Sequence, residues 1–240
     1  EMYPEYKATR TATPELVKAA LEPLSEIVRA LGISVLMKPG YEADDVIGTV
    51  ARTFAGQGFD VYMVTPDKDL GQIVDDHIYQ HKPGKAGADK EILSKEAVCS
   101  QYGISDPHQV IDILAICGDA SDDVPGVQGV GPVGAAKLLG KYGSVEGIYA
   151  HLDELTARQQ EQFRAAQDHI ALSKRLVTIK TDIPLDVTAA DLVYDTVFTP
   201  ELDALMDRYE MPSLKRLVRK VAVASAAGGA AARLPGEAGL

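Results

Sequence analysis

Asp60-Val61-Tyr62-Met63-Val64-Thr65-Pro66-Asp67-Lys68-Asp69-Leu70 is the stretch that decides the fold. Its first half is apolar and rich in β-branched residues, which predicts a buried strand over 60–65. Two aspartates follow at once. A helix is predicted over 43–56 before this strand, and a strand over 78–81 and a helix over 94–102 after it. Strand and helix alternate, so the expected class is α/β, a mostly parallel sheet flanked by helices. In such sheets ligand sites gather at the carboxyl ends of the strands, where Asp67 and Asp69 stand.

Further out, Thr13-Pro14-Glu15 reads as a helix start with a hydroxyl cap and proline at the first helical position. Leu16, Ala20, Leu24, Ile27 and Leu31 follow at helical spacing, with Pro23 expected to kink the helix and Gly32 to end it. Ser34 to Met37 reads as a short strand. After Asp106-Pro107 the chain is expected to be helical as far as Thr178, beginning with the apolar helix Val110 to Cys117. From Ala222 onward the Ala/Gly-rich composition predicts a flexible tail or linker. The expected division is a core over 1–117, a helical region over 118–221 and the tail over 222–240.

The 240 residues, 46% hydrophobic and 25% charged, suffice for one large α/β domain or two small ones. No run approaches the ~20 apolar residues of a membrane span, and no signal-peptide pattern opens the chain. The expected location is therefore the cytoplasm, with no membrane partner. Cys99 and Cys117 have neither zinc-type spacing nor a disulfide framework, so they read as small buried hydrophobes. The chain begins at Glu1 and reads there as mid-domain sequence, which suggests a fragment.

A net charge of −11 would by itself disfavour a polyanionic partner. The acidity is concentrated, however. Glu42, Asp44 and Asp45 form one cluster, Asp67 and Asp69 a second, and Asp119, Asp122 and Asp123 a third; without these eight carboxylates the net charge is −3. Glu42 and Asp44 alone could be no more than an acidic helix start with a capping residue. Acids drawn from three segments into one place would repel each other without counter-ions. Hard oxygen donors in this number suit Mg²⁺ or Mn²⁺, and the lack of histidine and cysteine among them disfavours zinc. Two such ions can activate water and stabilise the leaving oxygen of a phosphodiester. A structural calcium site is the alternative, though no EF-hand loop pattern is present.

Pro125-Gly126-Val127-Gln128-Gly129-Val130-Gly131-Pro132 follows the third cluster, and Ala135-Ala136-Lys137-Leu138-Leu139 continues it. A glycine-rich hairpin between two helices lets the backbone approach an anion closely and aims the next helix's N-terminus at it. This is a helix-hairpin-helix signature, which holds phosphates without reading bases.

In order, Glu5 to Arg10 (EYKATR), Pro39 to Gly48 (PGYEADDVIG), Thr65 to Leu70 (TPDKDL), Gly118 to Val127 (GDASDDVPGV) and Gly129 to Leu139 (GVGPVGAAKLL) resemble the 5′-3′ exonuclease domain of bacterial DNA polymerase I and the related flap endonucleases. The likeness runs from about Tyr3 to Val221. It implies a PIN-like α/β nuclease core followed by a helix-hairpin-helix region. The implied activity is hydrolysis of DNA at 5′ flaps, nicks and junctions by two or more Mg²⁺ or Mn²⁺ ions, in replication and repair, in the bacterial cytoplasm at the nucleoid. A monovalent cation at the hairpin and a polymerase domain, in the same chain or in trans, are implied as well. Residue by residue, Glu42, Asp44, Asp45, Asp67, Asp69, Asp119 and Asp122 match the family's metal-binding acids. Lys7 and Arg10 match basic residues that hold the scissile phosphate or 5′ strand, and Gly126, Gly129, Val130, Gly131 and Lys137 match the DNA-binding hairpin.

Two features depart from the family. Asp123 stands where many relatives have asparagine. The family also opens with a strand ending in a metal-binding aspartate, and a second strand carries another; neither is found in this sequence, which predicts a metal site short of two acids. The readings that follow are an active nuclease, a catalytically incomplete module that binds branched DNA, and, less favoured, a PIN-like metal-dependent RNase.

Overall fold

The computed structural model describes residues 3–84, 91–194 and 198–228, the last seven as backbone only. The chain divides into two compact units, one of residues 1–10 and 40–183, the other of residues 11–39 and 184–240. This differs from the expected boundary at 117/118. The reason is packing, because the apolar helix that ends at Cys117 is buried among elements from both sides of that boundary.

In the first unit β1 (Val61–Val64) pairs parallel with β2 (Ile78–Lys82), and β2 pairs antiparallel with β3 (Glu91–Leu93). The sheet is thus small and mixed, with the expected parallel pair at one side and an unforeseen third strand at the other. α2 (Ala43–Ala55) precedes β1, a 3₁₀ turn over Lys68–Ile73 follows it, and α3 (Lys95–Tyr102) follows β3. Ser94 caps α3 by accepting a hydrogen bond from the Ala97 amide.

From Pro107 onward this unit is helical, as expected. α4 (Val110–Cys117) has every residue but the last buried. An eight-residue helix apolar on all sides can only be an interior one. Its one charge, Asp112, is satisfied by the Val145 amide at 3.1 Å and the Lys174 ammonium at 2.7 Å. α5 (Pro132–Tyr142), α6 (Val145–Ala150), α7 (Ala157–Ala166) and α8 (Ile170–Val177) surround it through Leu139, Ile148, Phe163 and Ile170, all in one core. Buried Gln72 ties the 3₁₀ turn to the end of α8, donating to the Val177 carbonyl and accepting from the Ile179 amide, both at 2.9 Å.

The second unit holds α1 (Glu15–Ala30), α9 (Pro200–Arg208) and α10 (Pro212–Gly228). Pro14 rather than Thr13 sits at the capping position of α1 and makes no side-chain cap, so the helix starts one residue later than predicted. Pro23 lies within its unbroken run. Ser34 to Met37 is not a strand: a strand exists only through pairing, and here the Ser34 hydroxyl, not a backbone ladder, reaches the Asp191 carbonyl at 2.6 Å. Asp203 on α9 binds Lys215 and Arg219 of α10 at 2.9 and 2.7 Å. α10 runs to Gly228, past the Ala222 at which a flexible tail was predicted, because alanine is the strongest helix former. The rest of that predicted tail, 229–240, lies outside the described residues. Among the described residues no helix is long and apolar enough to cross a membrane.

Candidate metal and DNA site

β1 delivers the chain to Asp67, whose position is fixed from below by Gln80 on β2. The buried Gln80 amide donates to the carbonyls of Thr65 and Asp67 at 3.2 and 2.5 Å. The Asp67 carboxylate then caps the 3₁₀ turn by accepting from the Asp69 amide at 3.0 Å. Asp119 leaves α4 through Gly118, whose φ of +70° favours glycine, and is held by a bridge between Asp119 and Val124. Its carboxylate accepts from the Ser121 amide and hydroxyl at 2.9 and 2.5 Å.

Residues 3–10 close the third side. The Lys7 amide donates to the Asp122 carbonyl at 3.0 Å, and Thr9 binds the Asp123 carboxylate through its amide and hydroxyl. Asp123 has φ +57°, a left-handed conformation that Asp and Asn tolerate better than other side chains. Its role here is to anchor the segment carrying Lys7 and Arg10, which suits either residue type.

Glu42, Asp44, Asp67, Asp69, Asp119 and Asp122 line a single cleft of about 520 Å³ together with Lys7, Arg10, Lys68 and Ser121. Six predicted acids and both predicted basic residues therefore meet at the carboxyl end of β1. Asp45 borders an adjoining cavity, and its carboxylate is spent on backbone: it accepts from the Glu42 amide at 3.2 Å and the Lys180 amide at 2.9 Å. Among the described residues no three acids yet stand at a spacing that could hold an ion. Cations of the chain itself close on them instead. Lys7 binds Glu42 and lies 3.6 Å from Asp122, Arg10 binds Asp122, and Lys68 reaches Asp69 at 2.9 Å and Asp119 at 2.7 Å.

Among the described residues Asp44 has no such partner. Burial, then the charges of Asp67, Glu42 and Asp69, push its carboxyl up. Burial also raises Asp69, and with the charges of Asp67 and Asp119 it outweighs the bond from Lys68. Asp119 moves the other way: burial pushes it up, but Lys68 and the Ser121 donors bring it from 3.8 down to about 2. A depressed carboxyl stabilises the fold above its unfolded value and loses that contribution as pH falls through its folded value. For Asp119, whose ion pair is partly screened by solvent, this is worth on the order of 1 kcal/mol. In chelated buffer, the stability difference between wild type and Asp119→Asn in urea unfolding should be constant above about pH 5 and should shrink between about pH 4 and pH 2. A difference independent of pH over that range would refute the assignment.

The hairpin is built differently from the even run of glycines in the sequence. A Cβ on Gly126 would lie 2.4 Å from backbone atoms of Cys117 and Gly118, so this glycine permits the loop to pack on the end of α4. His169 donates to the Gly126 carbonyl at 3.2 Å, and Gln162 to that of Gln128 at 2.9 Å. Gly129 is exposed with φ +79°, and Val130 is half-buried against the core. Gly131 caps α5 in extended conformation with nothing within 4 Å of a Cβ built there, and Lys137 is exposed one turn and a half further along. Gly129, Gly131 and Lys137 therefore offer the open surface, while Gly126 is structural.

Three contributors escaped the sequence reading. Lys68 was visible between two aspartates, and Gln80 shares the inward face of β2 with Ile78, a polar residue where an apolar one is usual. Ser121 had no signal beyond lying in the acidic loop.

Comparison with known proteins agrees with this geometry. Residues 1–103 match the 5′-3′ exonuclease N-terminal resolvase-like domain, and residues 105–199 match the 5′-3′ exonuclease C-terminal SAM fold. A 5′-3′ exonuclease of Aquifex aeolicus is 36% identical over 92% of this chain and 73% of its own length. The DNA polymerase I of Thermus thermophilus is 35% identical over 89% of this chain, which spans 25% of that polymerase. Among solved structures, bacteriophage T5 flap endonuclease in a complex with DNA and metal ions aligns with a TM-score of 0.61 at 20% identity, over 86% of this chain and 76% of that one. The catalytic core of Rad2 with a DNA substrate aligns at 0.51 and 14%, over 83% and 66%. These two likenesses speak to fold. The identity to the Aquifex protein across both matched domains, with the acidic cleft and the glycine hairpin in the expected order, makes this chain a member of the 5′-3′ exonuclease family.

Proposed function

We propose that this chain is a metal-dependent, structure-specific nuclease that hydrolyses DNA phosphodiesters at 5′ flaps, nicks and junctions in bacterial replication and repair. The observation that carries this reading is the convergence of six acids from three segments in one cleft. The donor set fits a hard divalent cation: every donor is oxygen, and among the described residues Asp44 has no ion-pair partner, the more distant Lys7 charge being outweighed by burial and the neighbouring acids. Asp44, Asp67, Asp69 and Asp119 would hold Mg²⁺ or Mn²⁺, with Glu42 and Asp122 at the rim. Bound there, two such ions supply an activated water and a stabilised leaving oxygen. Lys7 and Arg10 at the mouth of the cleft offer the charge and forked donors that orient a phosphate. Asp45 positions α2 and the chain after α8 around the acids through its two backbone bonds.

Gly131, the free amides that open α5 and Lys137 grip the duplex backbone, with a monovalent cation as a further partner of the hairpin. Working in the cytoplasm, the chain would act beside a polymerase domain, in the same chain or in trans. The direct test is release of a labelled 5′ flap by the purified chain with Mg²⁺ and with chelator: metal-dependent release is expected, and equal release in both would refute metal dependence. A second reading, a module that binds branched DNA without cutting it, is favoured by the closure of the acids on Lys7, Arg10 and Lys68. It predicts tight flap binding with no release at any Mg²⁺ concentration.

The hairpin makes its own prediction. Gly131→Val has room for its Cβ and an ordinary φ of −95°, so it should cost only the roughly 1 kcal/mol of a poorer N-cap, while loss of close approach should weaken flap binding by roughly tenfold or more. Equal affinity of variant and wild type at one salt concentration would reduce the hairpin to a turn.

A further inference from the structure

Lys68 has no role in the reaction just described, yet its ammonium lies inside the cleft between carboxylates of two different segments, 2.9 Å from Asp69 and 2.7 Å from Asp119. Both acids are candidate metal donors. A divalent ion binds carboxylate oxygens at about 2.1 Å for Mg²⁺, with near-octahedral geometry. An ammonium within hydrogen-bond distance of the same oxygens would both occupy their lone pairs and repel the ion. The stem is free to leave: the Lys68 side chain is about half exposed, and among the described residues its ammonium has no hydrogen-bond partner besides Asp69 and Asp119, the Tyr102 hydroxyl donating instead to the Lys68 backbone carbonyl at 3.5 Å. A lysine head on four methylenes can swing into solvent while its backbone stays in the 3₁₀ turn.

We propose that Lys68 is a resident counter-cation that joins Asp69 to Asp119 in the metal-free protein and is displaced when a divalent ion loads. The proposal rests on the reading of the cleft as a metal site. It assigns Lys68 two consequences. The three-segment cleft stays assembled without metal, because the acids of the 3₁₀ turn and of the loop after α4 are bridged rather than mutually repelling. Metal loading becomes an exchange, so the protein's own cation sets the concentration of divalent ion at which the site fills.

The test uses chelator-stripped protein, with Mn²⁺ titrated calorimetrically into wild type, Lys68→Met and Lys68→Arg. Lys68→Met should melt at a lower temperature without metal and bind Mn²⁺ on the order of tenfold more tightly, since competitor and ligand are coupled through the same acids. Lys68→Arg should keep the charge and stay near wild type in both. Equal or weaker Mn²⁺ binding by Lys68→Met overturns the proposal. If Lys68→Met does not fold without metal, wild type labelled with ¹³C at lysine Cε gives the answer. The Lys68 signal, assigned by its loss in Lys68→Arg, should move toward the free-lysine position on saturation with Mg²⁺, and a signal that does not move overturns the proposal. Wild type that takes up no Mn²⁺ overturns both this inference and the metal site itself, whereas uptake unaffected by Lys68→Met overturns this inference alone.

Discussion

Asp67→Asn is expected to lower Mg²⁺-dependent release of a 5′ flap by at least about 10³-fold while changing flap affinity by less than about threefold. Asparagine keeps the oxygen that accepts from the Asp69 amide, so the cap of the 3₁₀ turn survives. Gln80 holds the Asp67 carbonyl, not its side chain, and is also untouched. What is lost is one negative charge in the cleft. Metal-ion stabilisation of a transition state is worth several kcal/mol, each 1.4 kcal/mol being about tenfold in rate. Rates of flap release and affinities by anisotropy, on the same substrate, measure both halves. Near-normal turnover in saturating Mg²⁺ would remove Asp67 from the metal site.

Gly126→Ala should have the largest effect on stability of any change in the hairpin. The new methyl would lie 2.4 Å from the Cys117 carbonyl carbon and the Gly118 amide nitrogen, both backbone atoms that cannot swing aside. Relief requires the loop to lift off α4, breaking the bond from the Val127 amide to the Ile116 carbonyl at 2.7 Å. A cost of about 3 kcal/mol or more is expected, read as a lower midpoint in urea unfolding. The contrast with Gly131→Val separates the two roles: one variant loses stability first, the other loses DNA first. A Gly126→Ala protein of wild-type stability would contradict the close packing of the loop on α4.

The elements that read clearly from sequence are those whose pattern is local. α4 is apolar throughout and matches its predicted span, and β1, β2, α2 and α3 lie within a residue or two of theirs. The supposed strand at Ser34 to Met37 failed because pairing is a tertiary fact, and α4 packs with elements on both sides of 117/118 because it lies in the interior of what surrounds it. For the site, carboxylates at strand ends and helix starts indicated where chemistry gathers. The sequence could not tell Asp45, whose oxygens hold two backbone amides, from Asp44, whose oxygens hold none. Nor could it tell Gly126 from Gly131, since the letter is the same and only the distance to Cys117 differs. Lys68 stood in plain view within the acidic motif, but its reach to Asp119, 51 residues away, is a product of the fold.

Acids from three segments form one divalent-metal centre in this reading of the cleft. Anomalous scattering from crystals of the chain grown with Mn²⁺ tests it most directly. Manganese is expected in the cleft, with Asp67, Asp69 and Asp119 among its ligands and the Lys68 ammonium withdrawn from between Asp69 and Asp119. Manganese found only outside that cleft, at a concentration that supports flap release, would contradict it.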